Sequence, residues 1–325
     1  MKNFLKRNKH IFFLFFFLIF LLVFDLFFAK YKYTHTFFIK RNQTLNQITT
    51  NLYKEKIIDN KFFFKFLIFS SLSQKILKAG EYEFYNNNIF QIIRKIRIGD
   101  VYQRRITIPE GLTSNEIIDI IKKTEGIVLN QEGSKQIVEE GTLFPSTYFY
   151  VYGTNSNIII NNMKKRMQST LIEAWQNRDK DLNLNNYNDV LILASIIEKE
   201  TSLNYEKSSV AQVFLNRLRL NMKLQSDPTV IYGIENELGI KKKELTKNDL
   251  GHKSSFNTYL IHGLPEGPIC NPGKESITAV TNPSKGDLLY FVANGEGGHN
   301  FSSSYEEHIE NVKKFKELRR GLHEN

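Results

Sequence analysis

The sequence predicts an α+β protein in three parts: a single N-terminal transmembrane helix, a compact α+β module, and a larger mixed α+β domain. Three observations predict it. An oily run, "IFFLFFFLIFLLVFDLFFA" at residues 11–29, follows a basic tail. Short strand-like and helix-like pieces alternate from residue 35 onward. Farther on, long helical stretches give way to an irregular segment rich in Gly, Pro, Asn and aromatic residues. With 325 residues there is room for more than one domain. A content of 41% hydrophobic and 24% charged residues belongs to a folded chain.

The tail, residues 1–10, carries Lys2, Lys6, Arg7 and Lys9. The oily run behind it is interrupted only by Asp25, and its length approaches the ~20 residues that span a bilayer. It exceeds the roughly 7–15 residues of a signal-peptide core, and no small-x-small cleavage site follows. The basic flank should stay in the cytoplasm, placing residues from 31 onward outside.

Residues 31–125 form the membrane-proximal module. "HTFFIK" reads as a strand, and "QTLNQITTNLYKEKII" as a helix capped by Thr44. "NKFFFKFLIFSS" is a second, oily helix, and "AGEYEFY" a strand of alternating aromatics. "NIFQIIRKIRIG" is helical, and "YQRRITIPEG" runs from strand into turn. "TSNEIIDIIKKTEG" opens at Thr113 or Ser114 with Glu116 in its first turn and closes at Gly126. Such small alternating units suit a compact module, not a long parallel sheet.

"GTLFPSTYFYVYG" is an aromatic connector leading into the main domain, residues 140–320, whose first long helix spans about Asn155 to Arg178. Within that domain "LILASIIEKETS" drives seven small or oily residues into two glutamates. An Asn of "LNLNNYND", or Asp189, caps the helix. At about 100° per residue, Glu200 lands about 20° from the centre of the stripe made by Val190, Leu193, Ile196 and Ile197. Glu198 lands about 140° away, on a polar side with Ser195 and Lys199. Glu200 is therefore the inward carboxylate. Loss of solvation should raise its pKa and let it hold a proton for delivery to a leaving oxygen. Periodicity alone leaves open that the helix frays there and the side chain turns to water.

Downstream, a helix to about Leu220 leads to a loop with Gln225 and Asp227, and Pro228 opens another helix. "SFNTYLIHGLPEGPICNPG" is a long irregular stretch of the kind that builds a site. "GDLLYFVANGEGGHNFSSS" reads as a hairpin around Asn294–Gly298, with Phe291 on one arm and His299 and Phe301 on the other. Asn257, Tyr259, Asn271 and His299 gather in these segments, where polar and aromatic groups could line a groove for sugar rings.

The formal charge is +10, but Lys and Arg follow amphipathic helix faces and no basic cluster is interleaved with aromatics. That pattern argues against a nucleic-acid partner and for an anionic membrane surface or acidic polymer. Cys270 is the only cysteine, so no intramolecular disulfide is possible, and no base stands beside it. The seven histidines lack a ligand spacing such as His-x-x-x-His, so no metal site and no cofactor are expected.

The ordered set "ASIIEKET", "VFLNRL…MKLQSDPTVIYG", "FNTYLIHGLPEGPICNPG" and "YFVANGEGGHNFS" resembles the endolytic murein transglycosylases of the MltG (YceG-like) family, strongly over about 140–315. "TIPEG" and "LFPSTY" extend the likeness more weakly. Ser146 stands where the family usually has Asp, so that position is assigned no role. The resemblance implies an inner-membrane protein with a LysM-like module at residues 31–125 and an outward-facing catalytic domain. It implies cleavage of the MurNAc–GlcNAc bond in nascent peptidoglycan strands, leaving 1,6-anhydro-MurNAc ends, and suggests peptidoglycan synthases as partners. The family's catalytic glutamate, directly before Thr, maps onto Glu200. Gln225, Asp227, Asn257, Tyr259 and His299 are the expected substrate-binding residues.

Two other readings compete. In a hydrolytic muramidase Asp227 would be the second carboxylate, although a residue before Pro228 is equally well explained as a helix cap. In a non-catalytic wall-binding scaffold the buried glutamate would have no purpose.

Overall fold

A computed structural model describes residues 31–70, 77–129 and 138–323, together with Phe13 and Phe17. The predicted span at 11–29 lies outside the described residues but for those two phenylalanines. Among the described residues no helix is long and apolar enough to cross a membrane. The fold is mixed α+β, and the chain divides into two compact units. One comprises residues up to Arg105 plus Phe149–Thr154, and the other Ile106–Tyr148 and everything from Asn155. The seam at 105 falls before the helix at 114–123, which packs with the larger unit.

In the smaller unit, β1 (Tyr31–Ile39) is followed by α1 (Leu45–Lys54), α2 (Lys61–Ser70), β2 (Gly80–Asn87) and α3 (Ile89–Ile98). The strands pair antiparallel, with Phe37 opposite Tyr82 and Ile39 opposite Gly80. Alternation buries Phe37, Ile39, Tyr82 and Phe84 and turns Phe38 and Tyr85 outward. Both α1 and α3 start in complete capping boxes, Thr44 with Gln47 and Asn88 with Gln91, so the polar sequence itself sets their first turns. Their apolar faces, with Phe64 and Ile68 of α2, make the core. Glu81, nearly buried, is held by the Arg104 fork at 2.8 and 3.0 Å, which keeps its carboxyl below the usual range.

The larger unit begins within β3 (Arg104–Thr107) and continues through α4 (Ser114–Lys123), capped by Thr113 and Glu116, and β4 (Ile127–Val128). β5 (Thr147–Tyr150) and β6 (Thr154–Asn155), whose residues are divided between the two units, precede the remaining helices of the larger one. These are α5 (Ser156–Gln176), α6 (Tyr187–Glu200), α7 (Asn204–Arg219), α8 (Asp227–Leu238) and α9 (Lys274–Thr281). A hairpin of β7 (Tyr290–Ala293) and β8 (His299–Ser302) leads into α10 (Tyr305–His323).

Helix α6 is the axis of this unit. Asn186 caps it, accepting hydrogen bonds from two backbone N–H groups. Every residue from Val190 to Ile197 is buried, because α5, α7, α8 and α9 all pack against it. A helix apolar all round belongs inside, and here the expected polar side of α6 proves wrong. Ser195 is fully buried; its hydroxyl donates to Ile192 O and accepts from Ile269 N–H at 3.0 Å. Lys199 is exposed, as the helical geometry required.

Leu193 is wholly enclosed by this packing. Leu193→Ala should therefore cost about 2–5 kcal/mol of stability, measured by denaturant unfolding. A loss under about 1 kcal/mol would show that the helix is not packed as described.

Candidate active site

The last turn of α6 presents two carboxylates one residue apart, and the structure gives them different surroundings. Glu198 is a structural anchor. Its side chain is 7% exposed and meets the Lys207 ammonium, itself 2% exposed, at 3.2 and 3.3 Å. It also accepts from Gly273 N–H at 2.9 Å and from the Ser276 hydroxyl at 2.6 Å, at the N-terminus of α9. There the helix dipole favours an anion. Glu198 was expected on the polar side of α6. The correction is that this side is covered by α7 and α9, which supply the cation and donors that a buried carboxylate needs. A Cβ on Gly273 would meet the Glu110 carboxylate, which packs close to this turn.

Glu200, partly buried, lacks such a cage. Its Oε1 accepts from the Ser226 hydroxyl at 2.5 Å. Burial pushes its carboxyl up to about 7; the Ser226 hydrogen bond pulls it down, the Asp227 charge raises it, and His299 and Arg217 lower it. Ser226 occupies the N-cap position of α8 yet makes no side-chain cap bond. Its hydroxyl serves Glu200 instead, and the backbone is pinned by Ser226 N–H to the Thr258 hydroxyl and by the Thr229 hydroxyl to Ser226 O. Just before it, Gln225 takes a left-handed backbone with φ 54°, uncommon for a non-glycine residue, and turns the chain into α8.

Of the predicted site residues, Asp227, Tyr259 and His299 gather around Glu200. The Tyr259 hydroxyl donates to Asp227 Oδ1 at 2.6 Å, and burial together with that bond pushes its phenol up. Asp227 is the first residue of α8, and Ser226, not Asp227, stands at the cap position. The hairpin pairs Ala293 with His299 and Phe291 with Phe301. His299 is held by Glu206, whose two oxygens face its ring Nδ1 and its backbone N–H, both at 2.9 Å. Burial raises the Glu206 carboxyl, but the His299 and Thr201 hydrogen bonds outweigh it and hold the group below the usual range. A Cβ on Gly298 would strike Glu206 Oε1, so the approach requires glycine.

The other predicted residues do different work. Gln225 has an exposed side chain, and its N–H bonds Thr258 O. Asn257 is fully buried and spends its side chain inside its own loop, donating to Leu250 O and His252 O and accepting from Tyr259 N–H. It shapes the segment that carries Tyr259 and faces no groove. Asn271, also fully buried, ties the segment to Leu112, Ser114, Glu140 and Leu143. Cys270 is buried, its thiol pushed well up by desolvation.

Sequence reasoning missed Ser226, Glu206 and Arg217. The Ser of "QSDPT" stood in a cap position and could have been flagged. Nothing in "LNYEKS" marks Glu206. Arg217 is buried on α7 and donates to Leu289 O at 2.7 Å and Leu224 O at 2.8 Å, fastening the β7 hairpin and the loop before α8 together.

A family model described as the YceG-like family matches residues 37–314. A Bacillus subtilis (strain 168) protein named "Endolytic murein transglycosylase" is 34% identical over 69% of this chain and 62% of its own length. A Streptococcus pneumoniae (serotype 2, strain D39) protein of the same name is 26% identical over 84% of this chain and 57% of its own. The chain thus spans about three fifths of these curated relatives. A crystal structure of a yceG-like protein from Listeria monocytogenes is 33% identical, with a TM-score of 0.52, over 86% of this chain and 99% of that one.

Lys207→Met should leave Glu198 buried without its cation and cost about 3–5 kcal/mol in denaturant unfolding. A neutral effect would contradict the anchoring role. For Glu200, the unfolded carboxyl loses its proton near its ordinary 4.5 and the folded one near 7. The folded chain holds the extra proton in between, so stability falls as pH rises across that window. Glu200→Gln should abolish this part of the fall. An unchanged pH dependence of stability would contradict it.

Proposed function

Because the chain belongs to the YceG-like family, we propose that it is an endolytic murein transglycosylase. In this reading residues 11–29 anchor it in the inner membrane, its N-terminus is cytoplasmic, and residues from 31 onward lie outside. The substrate is the glycan strand of nascent peptidoglycan, cut at the MurNAc–GlcNAc bond, and peptidoglycan synthases that supply the strand are its working neighbours. The motif set, the name borne by the relatives and the Glu200 site all support this. The β-α-α-β order of the smaller unit supports a LysM-like module.

The observation that carries the proposal is a carboxyl with a pKa of about 7 beside Ser226, Asp227, Tyr259 and His299. Such a group is protonated when substrate arrives and stable enough as an anion to take a proton back. Glu200 donates its proton to the glycosidic oxygen as the bond to C1 breaks. The resulting carboxylate, steadied by the Ser226 hydroxyl, accepts the proton of the muramyl O6 hydroxyl while O6 closes on C1. Proton and charge return to the start, no water enters, and one acid performs both steps.

A hydrolase would need a second carboxylate to activate water. Asp227 has one oxygen already engaged, its Oδ1 accepting from the Tyr259 hydroxyl at 2.6 Å.

Digestion of murein by the full chain, read by mass spectrometry, tests the proposal. Products should be one water lighter than hydrolysed ones, and the rate should fall as pH rises through about 7 with loss of the acid. Glu200→Gln should lower the rate by at least 10²–10⁴, roughly the worth of one acid–base role. Retention of more than about a tenth of the wild-type rate, which one lost acid–base role does not permit, or products carrying the added water, would overturn it.

A further inference from the structure

The smaller unit carries a feature that the glycan chemistry does not use. On α2, Phe62, Phe66 and Phe69 are 84%, 59% and 49% exposed. At 100° per residue they fall within about 60° of arc, opposite the buried Phe64 and Ile68. Three phenyl rings on one helix face in water are costly and mark a contact surface. Lys65 flanks them on the helix, and Lys61 at its start lies 4.6 Å over the exposed Tyr53 ring. The last residue of α1 and the loop after it add exposed Lys54 and Lys56, set against Glu55 and Asp59.

The charge of the whole chain is concentrated in the same unit. Residues 31–105 hold 14 Lys and Arg against 5 Asp and Glu, a net +9, whereas residues 106–325 hold 25 against 28, a net −3. The partner is therefore anionic and also apolar beneath its surface. A hydrated glycan or stem peptide meets the first requirement only. We infer that the Phe62–Phe66–Phe69 face of α2 docks on the surface of an anionic lipid bilayer, its rings entering the headgroup–acyl boundary and its lysines meeting lipid phosphates. The inference rests on the proposed anchor, which tethers β1 directly to the bilayer and makes docking an intramolecular event.

The test uses the full chain in nanodiscs made of phosphatidylglycerol or phosphatidylcholine with brominated acyl chains. A Phe66→Trp variant reports contact by loss of fluorescence, with wild-type Trp175 as background, and Phe20→Trp reports the anchor separately. The substituted ring at 66 is already exposed, so the fold should survive. Hydrogen exchange of residues 61–70 in the wild-type chain gives a second readout that needs no variant. We expect quenching at 66 and slowed exchange in phosphatidylglycerol, with a clear loss of both in phosphatidylcholine and after Lys61→Glu with Lys65→Glu. Quenching at 20 without quenching or protection at α2 overturns the inference and leaves the anchor standing. Absence of quenching at both positions overturns both. Equal effects in the two lipids overturn the anionic partner.

Discussion

Everything at the candidate site depends on how the end of α6 is enclosed. Residues Val190 to Ile197 run through the centre of the larger unit, and four helices close around them. A carboxylate on such a helix must either be matched by donors and cations or give up its charge. Glu198 and Glu200, separated by a single residue, take the two alternatives. Glu198 meets an ammonium, a backbone N–H and a hydroxyl. Glu200 meets one hydroxyl, with Asp227 opposing its ionisation. The geometry of one helix turn thus separates an anchor from an acid.

The supporting residues follow from that arrangement. Ser226 gives up its capping bond to α8 in order to reach Glu200, and the Thr229 and Thr258 hydroxyls hold it in place. Glu206 fixes the orientation of His299 through two contacts. Arg217 joins the hairpin to the loop that presents Ser226. Each works by holding a backbone segment that carries a site group, which is why the site is assembled from α6, α8, the irregular segment and the hairpin.

Much of this was legible in the sequence where local chemistry governs. The cap at Thr44, the helix start at Thr113 or Ser114, the cap at an Asn or Asp189 before α6 and the hairpin around Asn294–Gly298 were all readable from spacing. Glu200 was picked out by angle. The same wheel misplaced Ser195 and Glu198, because periodicity sees one helix and not the helices that cover its polar side. Asn257 and Asn271 looked like groove residues from composition; they are buried because irregular backbone needs internal donors and acceptors. Glu206 was invisible, since its partner His299 is far along the chain and only tertiary packing joins them.

The central claim is that the Glu200 carboxyl keeps its proton to near neutrality. Infrared difference spectra between wild type and Glu200→Gln, collected across a pH titration, read that proton directly. The account predicts a protonated-carboxyl carbonyl band, missing from the variant, that persists well above the ordinary 4.5 and disappears through about 7. A band that vanishes near 4.5 would mean the group is an ordinary solvated carboxylate and would contradict the account.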